Sequence, residues 1–319
     1  MSANDGTLPQ SWIAAQQDRM RRHLDTMILV PLFIVPGMVL FLTFVLLPVL
    51  QSARYSLYNW DGFGALNSAN FIKLDNYDTL FHQYNFMTAL SNSTRLMLLS
   101  LGVQLPIAMI LAILVGRGDL PGRTLFRGLL FIPYVYSEVI SAIIWQFVLR
   151  GNAQGPANLT LNAIIPGFHT IDWLGSKDYV MLAVFVVLTW KYFGFYMILY
   201  MAGLQGVPKD LEEAARVDGA SWWQVLARIT LPLMGNTIRL TVFLSVLGSF
   251  QQFVIVQVLT RGGNPFNNGH VITTYLYKFG FKRFDMGYGS AVAVVLFMIC
   301  LIFSIGYQRI VMARDYQEI

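Results

Sequence analysis

Charged residues are scarce in this chain of 319 residues. Only 12% of them are Asp, Glu, Lys or Arg, and glutamate occurs four times. A soluble domain carries about 25% charged residues. So little charge does not cover the surface of a soluble protein of this length. The composition therefore favours a protein that crosses a membrane several times.

The chain also has very little cysteine and lacks a phosphate-binding motif. Cys300 is the single cysteine, which excludes an intrachain disulfide and a thiolate metal cluster. The four histidines lack the spacing of metal ligands, so we expect no metal. No Gly-Lys pair occurs, which excludes a phosphate loop for ATP on this chain. The net charge of +5 is modest and indicates membrane topology, with no nucleic-acid partner.

Long apolar runs are what the chain has in place of charge. Six stretches are long enough for a helix to cross a bilayer, which takes about 20 residues. They lack the alternation of membrane β-strands, so the sequence predicts an all-α integral membrane protein. We place the spans at 27–50, 94–116, 125–149, 179–204, 238–260 and 287–309, with proline kinks in the first two.

Lysine and arginine set the expected orientation, because cytoplasmic loops carry an excess of both. With both termini inside, twelve basic residues lie in cytoplasmic segments and eight in longer outer segments, although the basic cluster after Tyr277 opposes this bias. We therefore expect a cytoplasmic tail at 1–26, a six-span domain at 27–309 and a cytoplasmic tail at 310–319.

A polar island from Pro208 to Pro232 separates the fourth and fifth spans. Asp210 and Glu213 have the spacing of a capping box, which predicts a helix from Leu211. Gly219 then ends this helix, because glycine adopts the left-handed conformation common at helix C-termini. Ser221 and Gln224 form a second such pair and predict a second helix to about Thr230. The sequence thus predicts a cytoplasmic helix-turn-helix to which a soluble partner can bind.

This island resembles the signature loop of binding-protein-dependent ABC importer permeases, with no departure in residue type or spacing. The matching residues are Glu213, Ala214, Ala215, Gly219, Ile229, Leu231 and Pro232. The resemblance implies that 205–235, including Asp218, is a coupling loop whose first helix docks on an ATPase subunit. ATP and Mg²⁺ would then be bound by that partner and not by this chain.

Three further segments resemble carbohydrate-type permeases of this family. They are Leu74–Tyr77, Phe131–Tyr134 and Leu259–Pro265, with Glu138 as a departure where the family has an apolar residue or proline. The resemblance implies a prokaryotic cytoplasmic-membrane protein and a sugar substrate. It also implies a second permease subunit, two ATPase subunits and an extracytoplasmic solute-binding protein, within membrane lipid.

Ser245, Ser249 and Gln252 follow one another at i, i+4 and i+7 in the fifth span, on one helical face. Gln251 flanks this stripe, and Tyr196 lies on an aromatic face of the fourth span. One interpretation is hydrogen bonding between helices. The other is a wet pathway whose side chains bind sugar hydroxyls, which the resemblance favours.

Glu138 and Lys191 lie deep in the third and fourth spans. An ionisable side chain at such depth requires a partner, so we predict an ion pair between them, or a role for one of them along the substrate route. Transport of glycerol phosphate or polyamine, a membrane-embedded enzyme and an assembly scaffold remain alternative functions. An enzyme is disfavoured because only these two candidate catalytic groups lie within the spans, without a histidine or metal set beside them.

Overall fold

The computed structural model describes residues 30–117 and 122–312. Its contacts define two compact units, Met1–Arg54 and Tyr55–Ile319. The predicted tail at 1–26 lies outside the described residues, as do residues 313–319 of the second predicted tail. In the described ranges the regular elements are helices, with a single isolated β-bridge between Tyr58 and Phe71.

Thirteen helices are numbered here in chain order. They are α1 Val30–Tyr55, α2 Asp75–His82, α3 Tyr84–Gly116, α4 Arg123–Val135, α5 Glu138–Val148, α6 Pro156–Ile164, α7 Val180–Gln205, α8 Lys209–Val217, α9 Trp222–Val225, α10 Gly235–Gln251, α11 Val254–Leu259, α12 Ile272–Tyr277 and α13 Met286–Met312. Five stretches, with α10 and α11 as one, are long and apolar enough to cross a membrane, and α4 with α5 makes a sixth if the bent pair is one span. The all-α membrane class is confirmed.

The third predicted span, 125–149, is not one straight helix. Helices α4 and α5 meet at 98°. Tyr136 and Ser137 are extended between them, and the Ser137 hydroxyl accepts a hydrogen bond of 3.2 Å from the N–H of Ile140. Serine in this position caps a new helix. The apolar run therefore contains a helix start that hydropathy alone did not reveal.

Three π-helical turns each lie just before a proline. They are Leu42–Leu46 before Pro48, Ser100–Gln104 before Pro106, and Leu226–Thr230 before Pro232. A proline ring clashes with the carbonyl four residues earlier, and that carbonyl belongs to the π turn in all three cases. A local widening of the helix relieves the clash. At Pro48 and Pro106, where the sequence predicted kinks, the structure has these π turns within the single helices α1 and α3.

Helix α7 is the centre of the unit that begins at Tyr55. Its first half packs with α5 and α11 through Val184 and Ile255, and its second half packs with α3 through Met197 and Ala108. At Gly194 a Cβ atom would lie 2.2 Å from the carbonyl oxygen of Leu130. Small residues let membrane helices approach this closely, so glycine fixes α4 against α7.

Candidate functional site

A cavity of about 140 Å³ lies between α3, α7 and α10. Its wall is formed by Leu96, Ser100, Gln104, Phe185, Leu188, Tyr192, Tyr196, Ser245, Gly248, Ser249 and Gln252. Four predicted pathway residues, Ser245, Ser249, Gln252 and Tyr196, thus face one space. Gln251 does not line it, since its side chain is exposed elsewhere on α10.

Two wall residues of α3, Ser100 and Gln104, were absent from the sequence prediction. Their signal was the i, i+4 spacing of two polar residues inside an apolar run. The hydroxyls of Ser100 and Ser245 are 2.8 Å apart, and Ser100 donates to the Gln104 side chain. The Gln104 amide in turn donates to the Leu188 carbonyl at 3.2 Å. These bonds join α3, α10 and α7, so Ser245 is part of the helix packing.

Gln252 differs from these satisfied residues. Its side-chain amide nitrogen is buried and makes no hydrogen bond of normal length and angle within the described residues, with the Tyr192 hydroxyl as its polar neighbour. A buried donor without a partner costs about 1–3 kcal/mol. An N–H group at a cavity wall avoids that cost when a ligand hydroxyl or water accepts its hydrogen bond. Gln252 is therefore the wall residue whose side-chain N–H group is most available to a polar ligand.

The fifth predicted span, 238–260, is interrupted at this residue. Helix α10 ends at Gln251, Gln252 is extended with φ −62° and ψ 122°, and α11 begins at Val254. The hydroxyl of Thr273 donates to the freed Gln252 carbonyl. Irregular backbone at membrane depth is tolerated where it lines a cavity and its polar groups are satisfied. The predicted span 238–260 agrees with the apolar stretch Gly235–Leu259. The break inside it was not predicted, because neither glycine nor proline marks it.

Lys191 and Glu138 do not form the predicted ion pair. Among the described residues, the Lys191 ammonium donates to the carbonyls of Pro133 at 3.1 Å, of Tyr134 at 3.0 Å and of Tyr136. Glu138 instead accepts a 2.6 Å hydrogen bond from the Tyr192 hydroxyl. The carbonyls at the end of α4 lack partners because the helix stops there. Lys191 therefore caps α4, where a cation is also favoured by the helix dipole.

The polar island folds as α8, a turn and α9. Helix α8 begins at Lys209 after Pro208, which makes no side-chain capping bond, so the capping box predicted for Asp210 and Glu213 is wrong. The neighbouring glutamate, Glu212, stabilises the fold instead. Glu212 is buried, and its Oε1 accepts a 2.5 Å hydrogen bond from the Thr230 hydroxyl. That bond ties α8 to the π turn beyond α9.

The turn of the island follows the local sequence rules. Gly219 has φ +84°, which few residues besides glycine adopt. Ser221 and Gln224 form the predicted capping box, with bonds of 2.7 and 3.4 Å. Four predicted coupling residues, Glu213, Ala214, Asp218 and Gly219, are exposed. Ala215, Ile229 and Leu231 are half-buried and Pro232 is exposed. The exposed side of α8 also carries the apolar side chains of Leu211 and Val217.

Comparison with known proteins places this geometry in a family. The family described as binding-protein-dependent transport system inner membrane component matches residues 104–314. The probable ABC transporter permease protein YurN of Bacillus subtilis (strain 168) is 35% identical over 86% of this chain and 92% of its own length. The diacetylchitobiose uptake system permease protein NgcF of Streptomyces coelicolor is 31% identical over 91% of this chain and 85% of its own.

A solved structure has the same fold. It is a chain of a bacterial ABC transporter involved in the import of the acidic polysaccharide alginate. The TM-score is 0.75 with 26% identity, over 92% of this chain and 99% of that one.

Proposed function

The chain belongs to the family of inner membrane components of binding-protein-dependent transport systems, and we propose that the solute it carries is a neutral sugar or oligosaccharide. Membership makes it a permease subunit of an ABC importer. It is a membrane component, and ATP and Mg²⁺ are bound by a separate ATPase. The proposed partners are two ATPase subunits, a second permease and an extracytoplasmic solute-binding protein.

The unpartnered amide of Gln252 in the cavity wall is the observation that carries the substrate proposal. Around it are the hydroxyls of Ser249 and Tyr192 and the ring of Tyr196, and the wall contains no Lys, Arg, Asp or Glu. Hydroxyl and amide groups bind sugar hydroxyls without a charge, and aromatic rings stack on sugar faces. A glycerol phosphate or a polyamine would require an opposite charge in the wall. NgcF, whose name describes uptake of diacetylchitobiose, agrees with a sugar.

The size of the cavity supports a second permease subunit. A cavity of about 140 Å³ is smaller than the roughly 300–1,000 Å³ of ordinary ligand pockets. An oligosaccharide does not fit into it. We therefore assign this wall as one side of a pathway that a second permease subunit completes, with α8 and the turn at Gly219 facing the ATPase.

Gln252→Leu tests the substrate proposal, because leucine has a similar volume and removes both hydrogen-bonding groups. An unpaired sugar hydroxyl costs about 1–3 kcal/mol, or about one to two decades in affinity. We expect uptake to fall while complex assembly and basal ATP hydrolysis are retained. The matched control is Gln251→Leu, one residue earlier and outside the wall. Equal uptake by the two variants, both assembled, would exclude Gln252 as a solute contact.

A further inference from the structure

Tyr192 of α7 joins the two interrupted spans to the cavity. It lines the cavity together with Gln252, the residue between α10 and α11. Its hydroxyl donates a 2.6 Å hydrogen bond to the Oε1 of Glu138, the first residue of α5. The Gln252 side chain is a second polar neighbour of the same hydroxyl. One tyrosine oxygen therefore lies between a carboxylate and an amide.

The ring of Tyr192 is held by its aromatic neighbour. The ring of Tyr134 packs edge-on against it, with 6.1 Å between the ring centres and 63° between the planes, an arrangement that aromatic pairs prefer. The Lys191 ammonium lies 5.7 Å from the centre of the Tyr134 ring and donates to the carbonyls at the end of α4. With the ring fixed by packing, the direction of the O–H bond is the remaining variable, because a hydroxyl hydrogen rotates to suit its acceptor.

Glu138 determines that direction from behind the cavity. Its side chain is half-buried at the bend between α4 and α5 and is not part of the cavity wall. A carboxylate only accepts hydrogen bonds, and the 2.6 Å length is in the range of charge-assisted O–H···O⁻ bonds. The single hydrogen of the Tyr192 hydroxyl is used in this bond. Its oxygen therefore offers the cavity lone pairs and no donor.

Together, Tyr192 and Gln252 then present one acceptor and one donor to the same space. A sugar hydroxyl matches both, because it donates to the tyrosine oxygen and accepts from the amide N–H. A phosphate oxygen or a fluorine atom only accepts, so it would face the tyrosine lone pairs. An ammonium group only donates, so it would leave the Gln252 amide unpaired. A site built around a hydroxyl rejects analogues that lack one of its two functions.

The helix dipole offers another explanation for Glu138. It is an acidic residue in the first turn of α5, where a negative charge is favourable. A role limited to the dipole would stabilise the helix and affect all solutes equally. It would not require the direct bond to Tyr192, a residue of a different helix that lines the cavity. The contact therefore indicates a role toward the solute.

We propose that Glu138 is a positioning residue for solute specificity. By accepting the hydrogen of Tyr192, it makes the cavity select a hydroxyl that donates and accepts, and reject groups that only accept. The proposal rests on the proposed function, and it adds the residue that sets the hydrogen-bonding polarity of the wall. Glu138 acts through Tyr192 and does not contact the solute.

The test measures solute uptake into proteoliposomes that contain the assembled transporter, with its solute-binding protein and ATP. The probes are maltose, cellobiose, lactose, glycerol phosphate and spermidine. A sugar that accumulates is then compared with its monodeoxyfluoro analogues, in which fluorine replaces one hydroxyl. The discrimination ratio is the uptake rate of the sugar divided by that of the analogue which the original chain rejects most. The binding protein is the same for every variant, so a change in this ratio reports the permease.

Glu138→Leu should lower the discrimination ratio about tenfold, because the Tyr192 hydroxyl is then free to turn its hydrogen toward the fluorine. Glu138→Gln still offers an acceptor to Tyr192 and should preserve the ratio. The matched control is Ser137→Ala, which removes the cap of α5 one residue earlier. It should lower thermal stability and leave the ratio unchanged. Should Glu138→Leu fail to assemble, Glu138→Ala replaces it.

A double-mutant cycle tests whether Glu138 acts through Tyr192. Tyr192→Phe should lower the discrimination ratio by itself, because the acceptor is removed. Adding Glu138→Leu to Tyr192→Phe should then change the ratio no further. A further change would show that Glu138 affects the solute by another route and would overturn the proposal.

Two other results would also overturn it. One is an unchanged ratio in the assembled Glu138→Leu transporter, or in Glu138→Ala where that variant replaces it. The other is an equal loss of uptake for the sugar and all its analogues, which would assign Glu138 to the dipole of α5. Accumulation of glycerol phosphate or spermidine and of none of the sugars would instead contradict the proposed function, so the two failures are distinct.

Discussion

Lys191 shows how a buried charge is satisfied by backbone carbonyls. Its ammonium has three donors, and the end of α4 offers three backbone carbonyls. Gly194, one turn along α7, lets the two backbones approach so closely that the lysine reaches them. Sequence reasoning identified the residue as one that needs a partner, but the partner is backbone, which no residue type reveals.

Lys191→Met should destabilise the protein more than Glu138→Gln. Methionine leaves the carbonyls at the end of α4 without a donor, at about 1–3 kcal/mol for each buried group. Glutamine at 138 still accepts from Tyr192. The measurement is thermal unfolding of the purified transporter in detergent. Adding Glu138→Ala to Lys191→Met should recover nothing, whereas recovery in the double variant would restore the ion pair as the explanation.

His270 is a fully buried residue that the sequence did not single out. Its Nδ1 lies 3.1 Å from the Thr274 hydroxyl, and Nε2 has no partner among the residues described. Burial, with Lys278 and Lys282 nearby, lowers its pKa to about 4. A Cβ on Gly263 would overlap its ring at 2.1 Å, so the loop closes tightly over it. The imidazole is therefore neutral in the folded protein.

Stability should decrease as the pH falls from about 6.5 to about 4. In that interval the unfolded chain binds a proton at His270 and the folded chain does not, so acid favours unfolding. The loss approaches about 1.4 kcal/mol per pH unit. Thermal unfolding across this range checks it, and His270→Gln should flatten the profile. An equally steep profile in the variant would assign the acid sensitivity to other groups.

At the scale of elements, the two adjacent glutamates of α8 have different roles, one in folding and the other in coupling to the ATPase. Glu212 is buried against Thr230, whereas Glu213 is exposed beside Ala214. Glu212→Ala should therefore reduce stability and assembly. Glu213→Lys should assemble normally and lose stimulated ATP hydrolysis, because the charge of the docking helix is reversed. Assembly and ATP hydrolysis measured together check the pair, and normal stimulated hydrolysis in Glu213→Lys would remove it from the ATPase contact.

The helices were predictable where a local rule decides them. The turn after α8 follows from Gly219 and from the capping box of Ser221, both visible in the sequence. The cavity was half predictable, because the stripe on α10 is periodic. The break at Gln252 was not, since Thr273 stabilises it from a distant part of the chain. The capping residue Ser137 can be recognised in the sequence, but it lies inside an apolar run that hydropathy assigns to one span.

For the whole molecule, the orientation in the membrane is the next quantity to measure. With the single cysteine removed by Cys300→Ser, cysteines at Asn67 and Lys177 should react with a membrane-impermeant thiol reagent from outside. Both positions are exposed. A cysteine at Asp218 should react only after the membrane is opened. Labelling of Asp218 in intact cells would invert the topology and remove the ATPase from α8.

The most direct test of the account is solute uptake into sealed proteoliposomes that contain the assembled transporter. The second permease, the ATPase and the solute-binding protein are supplied, with ATP on the ATPase side. We predict that a sugar-loaded binding protein stimulates ATP hydrolysis and that the sugar accumulates, and that Glu213→Lys abolishes both effects. ATP hydrolysis without entry of any solute delivered by the binding protein would contradict the assignment of this chain as a permease.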